Sequence, residues 1–329
     1  MNFSYISRIA LFTYMVTLMA CQQGTKPTTN TLSSAEQPVY VYSFDETGKL
    51  STDNTKALAA KFLATKDEKG FTFNQDNNTM YYVDGSDANI TLEQDLTNGN
   101  FSFSKIDRRY MGDYVPALPS SEEAIKIGAA FLREHGLQAN NENELQLEHV
   151  GGLRAQSQKG KIIDKVITLT YGRKLDSLPV IGPGSKIVIN IGDKGEVVGL
   201  TRRWREVSTS KRTMIKTTEL MSAEEAEAVA KKQITAEFGE KATFELKSAE
   251  KAYYDNNGKI LQPVYVFETV VDLHDKSIQP TPYLCIIPML RNSPEPLNLT
   301  AVDPKALETL KANDPAKVDT TATPSRDVE

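Results

Sequence analysis

Cysteine, histidine and tryptophan are scarce in this 329-residue chain: two, three and one, respectively. Two cysteines cannot build the dense disulfide framework of a small secreted scaffold. The histidines, His135, His149 and His274, never fall at the i, i+4 spacing that places two ligands on one helix face, so a His-Glu-x-x-His metalloprotease is excluded. No Gly-x-Ser-x-Gly elbow is present to mount a serine nucleophile. Excess positive charge is missing too. Lys and Arg number 38 against 43 Asp and Glu, a net of −5, which argues against a nucleic-acid partner, since phosphate binding needs a strong positive field. Finally, no apolar run is long enough to span a bilayer. The uncharged stretch Ile9 to Ala20 falls short of the roughly 20 residues that a ~30 Å hydrocarbon core demands.

That stretch, preceded by Arg8 as its single charge, reads instead as the core of an export signal over residues 1–20. Leu18-Met19-Ala20-Cys21 follows, and it resembles the lipobox of bacterial lipoproteins. The resemblance implies that Cys21 is acylated, with palmitate among its chains, and becomes the mature N-terminus. Several chains together anchor firmly where one does not. It places the protein outside the cytosol on a membrane. Gln22 after the cysteine, in place of Asp, points to the periplasmic side of the outer membrane in a Gram-negative cell. Cys285 then has no partner and sits in the apolar run Tyr283 to Ile287, where a thiol behaves as a small hydrophobe.

Residues 21–37 are rich in Thr, Ser, Gln and Asn and predict a flexible tether. Order is expected from Pro38. Over residues 38–116 a helical stripe from Thr55 to Ala64 precedes short β segments at Phe71, Met80, Ile90 and Phe101, an N-terminal α+β module. Ser120-x-x-Glu123 forms a capping box that opens a helix stopped at His135-Gly136, and strands follow to fill residues 117–210. One runs Tyr171 through Val180, a turn sits at Gly182-Pro183-Gly184, and Lys186–Ile191 and Glu196–Arg205 form a hairpin. Residues 211–292 repeat the plan: Ser222-x-x-Glu225, a helix stopped at Gly239, and strands at Phe244–Leu246, Lys251–Tyr254, Pro263–Val271 and Tyr283–Ile287. The fold class predicted is α+β, tandem modules each of a helix packed on an antiparallel sheet. Pro304 to Lys311 could form a short helix, in a polar tail over 293–329 expected to be disordered.

The repeat, with Leu178-Pro179-Val180 before glycines and Ile187 to Gly199 around an Asp-x-Gly turn, resembles the PepSY-like modules of secreted bacterial proteins. The resemblance spans roughly residues 119–290. It implies an extracytoplasmic binding or inhibitory module and carries no catalytic residues. The expected partner is an envelope protein, peptide or polymer, with no cofactor and no metal. Asp272, His274 and Asp275 read as a solvated turn, and Gly182-Pro183-Gly184-Ser185 joins strands where a phosphate loop would open a helix.

The unusual cluster is Arg202-Arg203-Trp204-Arg205. Strand alternation puts Arg202 and Trp204 on one face and Arg203 and Arg205 on the other, with Tyr171 and Arg173 on the neighbouring strand. Trp and Arg are enriched at interface hot spots, so these six residues are the candidate binding surface. The competing reading has Trp204 closing the core with arginine stems lying over the sheet. Two other functions remain open: an envelope hydrolase using carboxylates such as Glu148, Asp164 or Glu268, and a structural spacer.

Overall fold

The computed structural model describes residues 38–297 except 47, 49, 64–67, 107–109, 111, 157–159, 275–277 and 296. The signal segment, Cys21, residues 22–37, Ala64, Asp275, the Pro304–Lys311 helix and the tail beyond Leu297 lie outside the described residues.

Among the described residues, three α-helices and fourteen strands form an α+β fold. Each helix begins at a serine. α1 (Thr52–Phe62) follows Ser51, whose amide donates to Asn54 Oδ1 at 2.8 Å. α2 (Ser121–Glu134) follows Ser120, whose hydroxyl accepts from the Glu123 amide at 3.2 Å, and α3 (Ala223–Phe238) follows Ser222 with the same bond from Glu225. Satisfying orphan amides in this way fixes where a helix starts. Gly136 and Gly239 take φ of +64° and +88° at the far ends of α2 and α3, as expected of helix stops.

After each helix comes an antiparallel set of strands. α1 is followed by β2 (Phe71–Asn74), β3 (Thr79–Val83), β4 (Thr91–Asp95) and β5 (Phe101–Ser104). α2 is followed by β6 (Leu145–Gln156), β7 (Ile162–Leu175), β8 (Leu178–Ile181), β9 (Lys186–Ile191) and β10 (Val197–Arg203). α3, entered through β11 (Thr213–Met214), is followed by β12 (Thr243–Tyr254), β13 (Ile260–Asp272) and β14 (Thr281–Pro288). With β8 set aside as an insertion, every helix lies on the second and third strands after it: α1 on β3 and β4, α2 on β7 and β9, α3 on β13 and β14.

The strands join into one sheet across the modules. β5 pairs with β10, β8 pairs in parallel with β12, and β1 (Tyr40–Ser43) pairs with β11 and β13. Joining edges in this way removes rows of unpaired backbone groups. The main core lies between the sheet and α1 and α2, with Phe62 stacked 4.9 Å from Phe103 over Leu169, Ile187 and Ile189. Gly128 lets α2 approach closely, since a Cβ there would meet Leu169 at 2.6 Å. A second core under α3 holds Ala230, Ile234, Phe267 and Cys285. A fully buried Ile or Phe such as Ile234 or Phe267 contributes about 1.5–3 kcal/mol.

Two strand expectations are corrected. Tyr171 to Val180 is not one strand: it folds back at Asp176 and Ser177, whose φ values are +49° and +67°. The turn is held from outside, because Asp176 accepts from the hydroxyls of Tyr42 at 2.5 Å and Tyr253 at 3.0 Å. Phe244–Leu246 and Lys251–Tyr254 are one strand, β12, bridged by an irregularity between Leu246 and Ser248.

Candidate binding cleft and the arginine–tryptophan junction

β10 ends at Arg203, and its alternation ends with it. Trp204 turns into the main core and is 2% exposed. Arg173 lies on β7, which β9 separates from β10, so Tyr171 and Arg173 are not on the adjacent strand as expected; Arg173 is 1% exposed, with its guanidinium 4.0 Å from the Trp204 ring centre. One arm of Arg173 donates to Ser185 Oγ at 3.2 Å, and the other to the Arg205 carbonyl at 2.7 Å. Its Nε faces Glu144 Oε2 at 3.3 Å. Ser185 in turn donates to Asp255 at 2.7 Å, and Arg205 reaches Asp255 at 3.1 Å while lying 3.6 Å over the Phe44 ring. Arg202 donates to the carbonyls of Leu137 and Trp204 at 3.2 and 2.8 Å. Tyr171 is buried on the same inner face. Arg203 alone of the six remains exposed, beside Glu93 and Asp95 in a shallow polar depression.

The cluster is therefore turned inward. It ties β7, the turn before β9, the end of β10 and the end of β12 into one buried polar network. Burial is the main influence on its charges. It lowers Arg173 to a pKa of about 10 against the pull of Glu144, and it raises the Glu144 carboxyl against the opposing pull of Arg173. The glycine-rich turn does receive an anion, but its own chain supplies it. The Gly184 amide donates to the Asp255 carbonyl at 3.1 Å, and a Cβ on Gly184 would lie 2.2 Å from the Asp255 carboxyl group.

The carboxylates considered for hydrolysis lie apart. Glu148 on β6 faces Lys186 at 3.5 Å, Asp164 on β7 binds Arg154 at 2.7 Å, and Glu268 on β13 accepts from Ser248 at 2.9 Å. Among the described residues no group of His, Cys, Asp and Glu converges as a metal donor set. Asp272 accepts from the His274 amide at 2.7 Å, as a turn would.

A concavity larger than the depression at Arg203 lies elsewhere, beside the N-terminal half of α3. It has a volume of about 690 Å³. Leu246 and Ala249 of β12 with Tyr265 and Phe267 of β13 form part of its wall, and Val39, Leu220 and Met221 add to the apolar lining. Lys251, Arg291, Glu224, Glu227, Thr217 and Ser222 supply polar groups to the lining. Glu227 is paired with Lys231 at 2.7 Å and Arg291 with Glu225 at 2.7 Å. Lys251 has no ion pair or hydrogen bond among the described residues. Sequence reading missed this cleft. Its one signal was the lysine that opens the stretch Lys251–Tyr254.

A concavity of several hundred Å³ that combines apolar walls with placed polar groups is a common form of ligand site, and fold and cleft together define an α+β protein of three helix-on-sheet units with an open cleft beside the third helix. No family model matches the chain, and no curated protein matches it either. Among solved structures, it is similar to an uncharacterized protein from Eubacterium rectale, with 10% identity over 78% of this chain and 85% of that one and a TM-score of 0.40. It is also similar to the Bacillus megaterium YpeB C-terminal domain, with 13% identity over 73% of this chain and 99% of that one and a TM-score of 0.30. No helix among the described residues is long and apolar enough to cross a membrane.

Proposed function

We propose that this chain is a non-catalytic binding or regulatory protein of the bacterial envelope, held to a membrane by lipid on Cys21, that takes a peptide or protein segment in the cleft beside α3. The observation that carries the binding reading is the cleft itself: a concavity of about 690 Å³ with an apolar wall and a lysine, Lys251, that makes no ion pair among the described residues. Support for the location comes from Leu18-Met19-Ala20-Cys21, and support for a binding role from the PepSY-like pattern of residues 119–290.

Two experiments test the two halves. Cells fed an alkyne-tagged palmitate should label the parent protein and leave Cys21→Ser unlabelled; equal labelling of both would remove the anchor. For the cleft, the soluble chain starting at residue 22 is crosslinked to envelope proteins beside Ala249→Trp, whose indole would fill the cleft. The parent should capture a partner that the variant loses while keeping its unfolding midpoint. Capture unchanged by the variant would move the binding site elsewhere.

A further inference from the structure

Tyr82, Leu92, Phe103 and Leu200 belong to the main core under α1 and α2. Alternation sends their neighbours to the opposite face of the sheet. There Tyr81, Glu93, Ser102 and Thr201 stand side by side on β3, β4, β5 and β10, and Thr79 lies opposite Asp95 in the next row. Arg203, two residues beyond Thr201, falls in that second row. These side chains line the shallow depression at Arg203, which has a volume of about 260 Å³. Two turns complete it. Asn98 and Asn100 come from the turn between β4 and β5, and Asn257 from the turn between β12 and β13 in the third unit. The Asn100 side-chain amide donates to Asn257 Oδ1 at 3.4 Å, so the depression forms where distant units meet.

An exposed polar sheet face is usually no more than a solvated one. Here the charges are placed in an unusual way. Each carboxylate is held by its own neighbours: Glu93 accepts from the Ser102 hydroxyl at 3.2 Å, and Asp95 accepts from the Thr97 amide and the Asn98 side chain, both at 2.7 Å. Arg203 lines the same depression yet makes no hydrogen bond or ion pair among the described residues. A cationic donor and two anionic acceptors therefore stand close together without neutralising one another. Their strong, charge-assisted hydrogen bonds remain available to a ligand.

This set of groups discriminates between ligands. A phosphate would be drawn by Arg203 but opposed by Glu93 and Asp95. A metal cation would be opposed by Arg203. A neutral polyhydroxyl compound suits all three, because every hydroxyl both donates and accepts. Tyr81 adds an aromatic ring, whose negative face attracts polarised C–H groups. The volume is smaller than that of a pocket for a drug-sized ligand, which fits one unit of a longer chain. The upper row continues past Thr201 to Val188 and Thr170, where further units could lie. We propose that this depression is a saccharide site that takes one sugar ring of a neutral glycan. Arg203 donates to the sugar oxygens, Glu93 and Asp95 accept from hydroxyls, and Tyr81 lies against the C–H face. The site is independent of the cleft beside α3.

The test is isothermal titration of the soluble chain from residue 22 with neutral hexasaccharides of β-linked glucose and of β-linked N-acetylglucosamine, and with the cationic, de-N-acetylated form of the second. A neutral probe should bind with a millimolar or tighter Kd and better than the cationic one. Arg203→Met, an exposed change, should keep the unfolding midpoint and weaken binding about tenfold, the scale of one charge-assisted contact. Tyr81→Leu should weaken binding, Tyr81→Phe should bind as the parent does, and Ala249→Trp in the cleft beside α3 should change nothing.

Three results would overturn the proposal. If no neutral probe binds, the depression is a solvated face. If a neutral probe binds and Arg203→Met leaves its affinity unchanged, the sugar sits elsewhere. If the cationic probe binds more tightly and Glu93→Gln removes its advantage, the site selects positive charge and not neutral glycan.

Discussion

Arg173 and Trp204 meet face to face in the interior, guanidinium carbon to ring centre 4.0 Å, each 2% exposed or less. A desolvated contact of this kind contributes about 2 kcal/mol. The same arginine is held by Ser185, the Arg205 carbonyl and Glu144, so its removal strands several polar groups at once.

Arg173→Met should therefore lower stability by about 3–5 kcal/mol, because Glu144 is left buried without its cation. Adding Glu144→Gln to that variant should restore part of the loss, and a double-mutant cycle from urea unfolding measures it. Arg173→Lys keeps the charge but not the planar fork, and should fall between the parent and Arg173→Met. Additive losses in the cycle would mean that the two side chains act independently.

The turn before β9 gives a second expectation. Gly184→Ala places a methyl against the Asp255 carboxyl group, at 2.2 Å before any movement. The cost should be about 1–3 kcal/mol, as for other overpacked sites. A midpoint equal to the parent's would show that Asp255 yields freely.

Cys285 reports on the third module. It is fully buried beneath α3, and its thiol is pushed up to about 11, first by burial and then by Glu237. In the soluble chain from residue 22 it is the single thiol. Maleimide at pH 8 should label it only at the rate at which the module opens, and labelling should accelerate in urea. Native labelling as fast as that of a free thiol would contradict the packing.

Acid sensitivity has a named contributor. The Asp84 carboxyl is lowered from 3.8 to about 2, chiefly by the Ser86 hydroxyl and amide, with weaker help from the Tyr82 hydroxyl and Asp87 amide. A depressed carboxyl contributes stability above its unfolded value and loses it as pH falls through the folded one. That contribution should therefore be whole above pH 3.8 and disappear towards pH 2. Asp84→Asn should flatten the fall in unfolding midpoint across that window. An unchanged slope would assign the acid sensitivity to other groups.

Helix starts and stops were legible because they depend on neighbours in the sequence. Ser120 with Glu123 and Ser222 with Glu225 bond as a four-residue pattern requires. Partners joined over long distances were not legible. Nothing local to Arg173 indicates Ser185, the Arg205 carbonyl or Glu144, and nothing near Tyr171 to Val180 reveals that Tyr42 and Tyr253 pin a reversal at Asp176. Trp204 among arginines reads as a contact surface or, with more weight, as the lid of a core, since both place an indole on a strand end. The cleft was out of reach for the same reason: it depends on where α3 settles across β13 and β14, which no short pattern encodes.

β1 has a mechanical consequence. It is the first strand of the described chain, yet it is stitched between β11 and β13, and its neighbour Val39 forms part of the cleft wall. Traction applied upstream of Pro38 thus enters the molecule through its last-built unit, bypassing the first two. The ladder that must yield first borders the cleft beside α3, so load on the chain and the shape of that cleft share one seam.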